Sequence, residues 1–136
     1  MKYGYTALFV ESVYETIDFY ERAFGFERGT ILESGEYGEL KTGSTTLAFT
    51  ARSIVKTLSD VAFEPAALHK PAPPLELGMV TDSVDADFER AVAAGAVVVK
   101  PPENKTWGRV AYVRDNNGFL IEIVSHTTGE VEAAPS

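Results

Sequence analysis

A chain of 136 residues with no cysteine and a formal net charge of −8 excludes disulfides, zinc–thiolate sites and thiol nucleophiles. Its pI near 4.7 argues against the phosphate backbone of a nucleic acid as partner and favours cationic ligands. No stretch approaches the roughly 18 consecutive apolar residues of a membrane span, and Met1-Lys2-Tyr3-Gly4-Tyr5 lacks the pattern of a signal peptide, so a cytoplasmic protein of one globular domain, or two small modules packed together, is the expectation.

Tyr5 to Val10 is a short apolar and aromatic run that predicts a strand. Ser12 and Glu15 then give the S-x-x-E spacing of a capping box, Val13, Ile17, Tyr20 and Phe24 follow at helical spacing, and Gly25 supplies the stop. Three further strands are predicted over Phe26–Leu32, Tyr37–Lys41 and Thr45–Thr50, separated by turn signals at Ser34-Gly35 and Thr42-Gly43. Residues 52–74 carry Pro65, Pro71, Pro73 and Pro74 and read as a linker with one helical turn near Ile54 to Leu58.

After the linker the order starts again. Leu75 to Thr81 predicts a strand, and Ser83 to Ala94 a helix with Val84, Phe88 and Ala91 on one face and Gly95 as its stop. Val97–Lys100, Arg109–Arg114 and Phe119–Ser125 supply three more strands, the last entered through an Asn117-Gly118 turn. The chain therefore divides into a first βαβββ module (1–51), a Pro-rich linker (52–74), a second βαβββ module (75–126) and a small, polar tail (127–136) expected to fray. Spacing supports the repeat more than identity does: Tyr5 lies seven residues before Ser12, and Glu76 lies seven before Ser83.

Two tandem βαβββ modules with these landmarks resemble the vicinal oxygen chelate superfamily, which holds glyoxalase I, bleomycin-resistance proteins and extradiol dioxygenases. "ESVYETIDFYERAFGFE" (Glu11 to Glu27) looks like the family's first helix, and "RDNNGFLIEI" (Arg114 to Ile123) looks like its final Asp-Pro-Asp-Gly-x-x-x-Glu hairpin, with Phe24 in place of the usual Leu and Asn116-Asn117 in place of Pro-Asp. The resemblance implies an α+β fold in which the modules form a cupped mixed sheet around a cleft, with the helices on the convex side. It also implies a homodimer, because many short two-module members assemble their clefts between chains.

Metal-dependent members place ligands at the starts of the first and fifth strands and the middles of the fourth and eighth. Carried onto this chain, those points are Tyr5, Ala48, Glu76 and Glu122, with Ala48 preferred to Leu47 because alternation turns Leu47 and Phe49 towards the helix. Two carboxylates, a phenol and a methyl group fall short of the three protein ligands a catalytic metal usually needs, and neither His69 nor His126 stands at a ligand point. No metal cofactor is expected; if one binds, Glu76 and Glu122 are its ligands.

Glu122 interrupts an apolar strand, where a buried acid needs a reason to be there. It either points into a solvated cleft, accepts a hydrogen bond from Tyr5 or a ligand, or helps hold a cation. Glu76 is an exposed strand-start residue or a second cleft carboxylate. Trp107 either lines the cleft or plugs the open end of the sheet. Arg109 and Arg114 are expected in surface ion pairs, Tyr112 and Phe49 in the core, and His69 and His126 in solvent. No Gly-rich phosphate loop, nucleophile elbow or basic aromatic stripe is present.

The reading that follows is a metal-independent member binding a small aromatic or cationic molecule, with Tyr5, Ala48, Glu76, Trp107 and Glu122 lining the site. The alternative is a metal-dependent lyase or isomerase resembling lactoylglutathione lyase, in which Glu122, the one candidate catalytic residue, or Glu76 acts as the base. Neither reading involves nucleic acid or a membrane.

Overall fold

The computed structural model describes residues 1–126, so the tail from 127 to 136 lies outside the described residues. The order is β1 (Thr6–Val10), α1 (Val13–Phe24), β2 (Glu27–Ile31), β3 (Tyr37–Thr42), β4 (Thr45–Ala51), a 3-10 turn (Arg52–Ile54) running into α2 (Val55–Leu58), β5 (Glu76–Val80), α3 (Val84–Ala93), β6 (Val97–Lys105), β7 (Gly108–Arg114) and β8 (Leu120–His126). It is an α+β fold, and each repeat builds its own four-stranded mixed sheet, β1-β4-β3-β2 and β5-β8-β7-β6, in which only β1–β4 and β5–β8 run parallel. Among the described residues no strand of one sheet pairs with the other.

Local chemistry sets the helix ends. Ser12 accepts a hydrogen bond from the Glu15 backbone N–H (3.2 Å), and Gly25, at φ 75°, takes the left-handed conformation that closes α1 by donating to the Glu21 carbonyl. Alternation does the rest. Leu8, Val10, Leu40, Leu47 and Phe49 from the first sheet, and Ile121, Ile123, Ala111 and Val113 from the second, turn towards the helices and belong to one continuous core with Ile17, Tyr20, Val84 and Ala91. The helices thus bury one face of each sheet and pack against each other, with the Arg90 guanidinium Nε donating to the Arg22 carbonyl at 2.9 Å.

A buried interlock joins the repeats. The Tyr20 hydroxyl, fully buried on α1, donates to Asp115 Oδ2 at 2.6 Å, while Asp115 Oδ1 accepts the backbone N–H groups of Asn117 and Phe119 at 2.9 Å each. Beside it the Asn117 side-chain amide donates to Thr16 Oγ1 at 2.9 Å. Burial pushes the Asp115 carboxyl up, against the opposing pull of those donors, and it pushes the Tyr20 phenol up as well.

One element departs from expectation. The β6 strand, predicted to end at Lys100, runs on through Pro101 and Pro102 to Lys105. It is an edge strand with register shifts on both sides of Lys100, so the prolines need no ladder partner for the N–H they lack. The turn into β7 is tight: a Cβ on Gly108, at φ 150°, would lie 1.9 Å from the Ser125 carbonyl oxygen.

Candidate functional site

The register assigns a second face to each sheet, turned away from the helices. In the second repeat, Gly78 stands opposite Glu122 and Glu122 opposite Tyr112, which puts Glu76, Gly78 and Val80 on the same face as Glu122 and Tyr112. In the first repeat the same logic groups Ala7, Phe9, Glu39, Ala48 and Tyr37. The two faces correspond point for point: Ala48 takes the place of Glu122, Ala7 that of Gly78, and Glu39 that of Tyr112.

Glu122 is 6% exposed and its carboxylate has a donor, since the Tyr112 hydroxyl reaches Oε2 at 3.1 Å. The donor is thus Tyr112 from the neighbouring strand and not Tyr5. Tyr112, expected in the core, sits half-buried on the open face, with its phenol pushed up to about 12 by burial and then by the Glu122 charge. Glu76, at the exposed start of β5, shares this face with Glu122; desolvation first, and the neighbouring Glu122 charge second, push its carboxyl above the ordinary range. No described Lys, Arg or His side chain forms an ion pair with either carboxylate.

The first repeat offers aromatics in place of this pair. Tyr5, just ahead of β1, meets Tyr37 edge to face at 6.2 Å, and the Tyr37 hydroxyl donates to Glu39 Oε2 at 2.8 Å. Phe9 meets Phe63 of the linker edge to face at 5.0 Å. Ala48 is fully buried on this face while Leu47 and Phe49 enter the core, as alternation predicts. The linker is tied to the second repeat too, because Arg114, expected in an ion pair, donates instead to the carbonyls of Gly118, Ala67 and Leu68. Arg109 does form one, a fork onto Asp85 with two contacts of 2.8 Å.

The structure therefore brings Glu76 and Glu122 together and adds Tyr112 to them. Tyr5 and Ala48 fall on the other repeat's open face, and Trp107 stands half-exposed at the β6–β7 turn. A cavity of about 640 Å³ opens between the repeats, lined by Glu76, Gly78, Met79, Phe24 and Leu47 among others, and by none of Tyr5, Ala48, Trp107 or Glu122. His126 is half-buried rather than free in solvent, with a buried Nδ1 that has no partner among the described residues.

At the four points Tyr5, Ala48, Glu76 and Glu122 the donors for a divalent metal are few. Among the described residues no group of three or more His, Asp or Glu side chains is gathered to hold one. Glu76 and Glu122 could supply two donors, whereas Ala48, at the point matching Glu122, supplies a methyl group. Sequence reasoning missed Tyr37, Glu39 and Tyr112, although the period of two that placed Ala48 places each of them on an open face.

A family model described as "Glyoxalase/Bleomycin resistance protein/Dioxygenase superfamily" matches residues 2–123. Among solved structures, a glyoxalase-related enzyme from Fulvimarina pelagi is 20% identical with a TM-score of 0.77, the match covering 93% of this chain and 88% of that one. A glyoxalase/bleomycin resistance protein/dioxygenase family enzyme from Burkholderia phytofirmans PsJN is 22% identical with a TM-score of 0.77, covering 90% and 97% of the two chains. TioX from Micromonospora sp. ML1 is 25% identical with a TM-score of 0.69, covering 93% and 99%. No curated protein matches the chain.

Proposed function

The chain belongs to the glyoxalase/bleomycin resistance protein/dioxygenase superfamily, and from that membership we propose a metal-independent member that binds a small aromatic or cationic molecule on its open faces. One observation carries the reading: Glu76 and Glu122 share the open face of the second sheet, with the Tyr112 hydroxyl donating to Glu122 and no described cation in an ion pair with either carboxylate. Two carboxylates so placed attract a positive group, and aromatic side chains such as Tyr5, Tyr37 and Phe9 supply stacking surface of the kind that Trp and Tyr give to cationic ligands. A cytoplasmic homodimer, in which the acidic face of one chain meets the aromatic face of another, belongs to the same proposal.

Titration with a panel of cationic aromatic compounds, followed by calorimetry and by Trp107 fluorescence, tests it. Saturable binding by at least one compound is expected, and its absence across the panel overturns the reading. The pH dependence has a definite sign. Because the Glu76 carboxyl is raised, a fraction of the pair is protonated above the ordinary carboxylate range, so affinity for a cation climbs as pH rises through the raised value and levels off beyond it.

The same two carboxylates are also the observation that favours a metal-dependent lyase or isomerase of the lactoylglutathione lyase type, with the missing donors supplied by water or a second chain. Elemental analysis after exposure to Ni, Zn, Mn and Fe separates the two readings. Substoichiometric metal in every case is the expected result, and one equivalent of any of them reverses the choice.

A further inference from the structure

The inter-module cavity is lined by Glu76, Leu77, Gly78, Met79, Val80 and Thr81 in unbroken succession. Successive strand residues point to opposite faces, so a cavity that meets all of them follows the strand's edge and not one of its faces. That edge is free: β5 pairs with β8 on one side and with no described strand on the other. Across the gap stand the hydroxyl-bearing side chains of Thr6, Thr42, Thr45 and Thr46, and Phe24 and Phe26 add apolar surface.

We propose that the free edge of β5 is a docking site for an extended peptide carrying basic residues, which pairs its backbone with the strand as a fifth member of the second sheet. A run of unpaired N–H and C=O groups is the template such strand addition uses. A cavity of about 640 Å³ lies within the range of small-ligand sites, and a five-residue strand offers an edge of about 17 Å. The sign of the peptide's charge follows from the lining, which contains Glu76 and Asp87 and no Lys or Arg. The same charges argue against a second copy as occupant, since pairing two β5 edges would set these carboxylates against their own counterparts between chains of net charge −8.

This proposal does not depend on the open-face reading, and its readout is separate. Acetyl-Lys-Val-Lys-Val-Lys-amide is titrated against the full chain while backbone amide exchange is followed residue by residue. Saturable binding with slowed exchange in β5 is expected. An analogue methylated on alternate backbone nitrogens is expected to bind at least about tenfold more weakly, and a Glu-for-Lys analogue not measurably. The Thr46→Trp variant, which fills the cavity from its rim, is expected to lose the peptide while keeping the wild-type circular dichroism spectrum. Equal binding of the methylated analogue, exchange changes confined to other strands, or β5 protection that grows with protein concentration in the absence of peptide each overturn the assignment, the last by showing a second copy on the edge.

Discussion

Replacing Asp115 by alanine is expected to destabilise the protein by about 3–5 kcal/mol, because the buried Tyr20 hydroxyl and the N–H groups of Asn117 and Phe119 lose their acceptor together, at roughly 1–3 kcal/mol for each buried donor left unmade. On a total stability of about 5–15 kcal/mol that is a large fraction, and a fall in Tm of about 10 °C or more by calorimetry checks it. Asp115→Asn is expected to cost less, since the amide oxygen still accepts the two backbone donors. It also tests the titration. Burial holds the Asp115 carboxyl above its unfolded value of about 3.9, so ionisation opposes folding: its contribution is fully present below that value and is lost as pH rises through the raised one. The wild type should show that decline and the Asn variant should lack it; parallel pH profiles would mean that the carboxyl titrates normally.

The second large effect falls on binding. Glu122→Gln is expected to weaken a cationic aromatic ligand by about 2 kcal/mol or more, roughly 30-fold, as when one partner of a buried charge pair is truncated. The variant should nonetheless melt at the wild-type temperature or above, because glutamine still accepts the Tyr112 hydroxyl and removes the like charge that adds to desolvation in raising Glu76. The two readouts together identify a residue kept for function at some expense of stability. Wild-type affinity in this variant would remove Glu122 from the site, and a lowered Tm would show that its role is structural.

The repeat was legible because its signals are local. The Ser12 cap, the Gly25 stop and the alternation around Phe49 each act within a few residues, and the first repeat's elements stand within a residue or so of expectation. Family membership followed from the helix and hairpin motifs at their separation. The β6 strand runs beyond its expected end because an edge tolerates Pro101 and Pro102, and sequence does not say which strand is an edge. Tyr112 was misplaced for a related reason: a lone aromatic in an apolar run fits the core on composition, and only the cross-strand pairing with Glu122 turns it outward. The Arg114 contacts with the linker carbonyls of Ala67 and Leu68 join residues 47 and 46 positions apart, beyond the reach of any local pattern.

The bonds from Tyr20 to Asp115 and from Asn117 to Thr16 close chain loops of 95 and 101 residues. Such closure comes late in folding, since contacts of that separation wait on the elements between them. While the chain is being made, α1 remains without its buried acceptor until the β7–β8 turn has been synthesised, so the first repeat is an incomplete unit for most of translation. The duplicated architecture is therefore expected to unfold as one cooperative body, with a single transition in calorimetry.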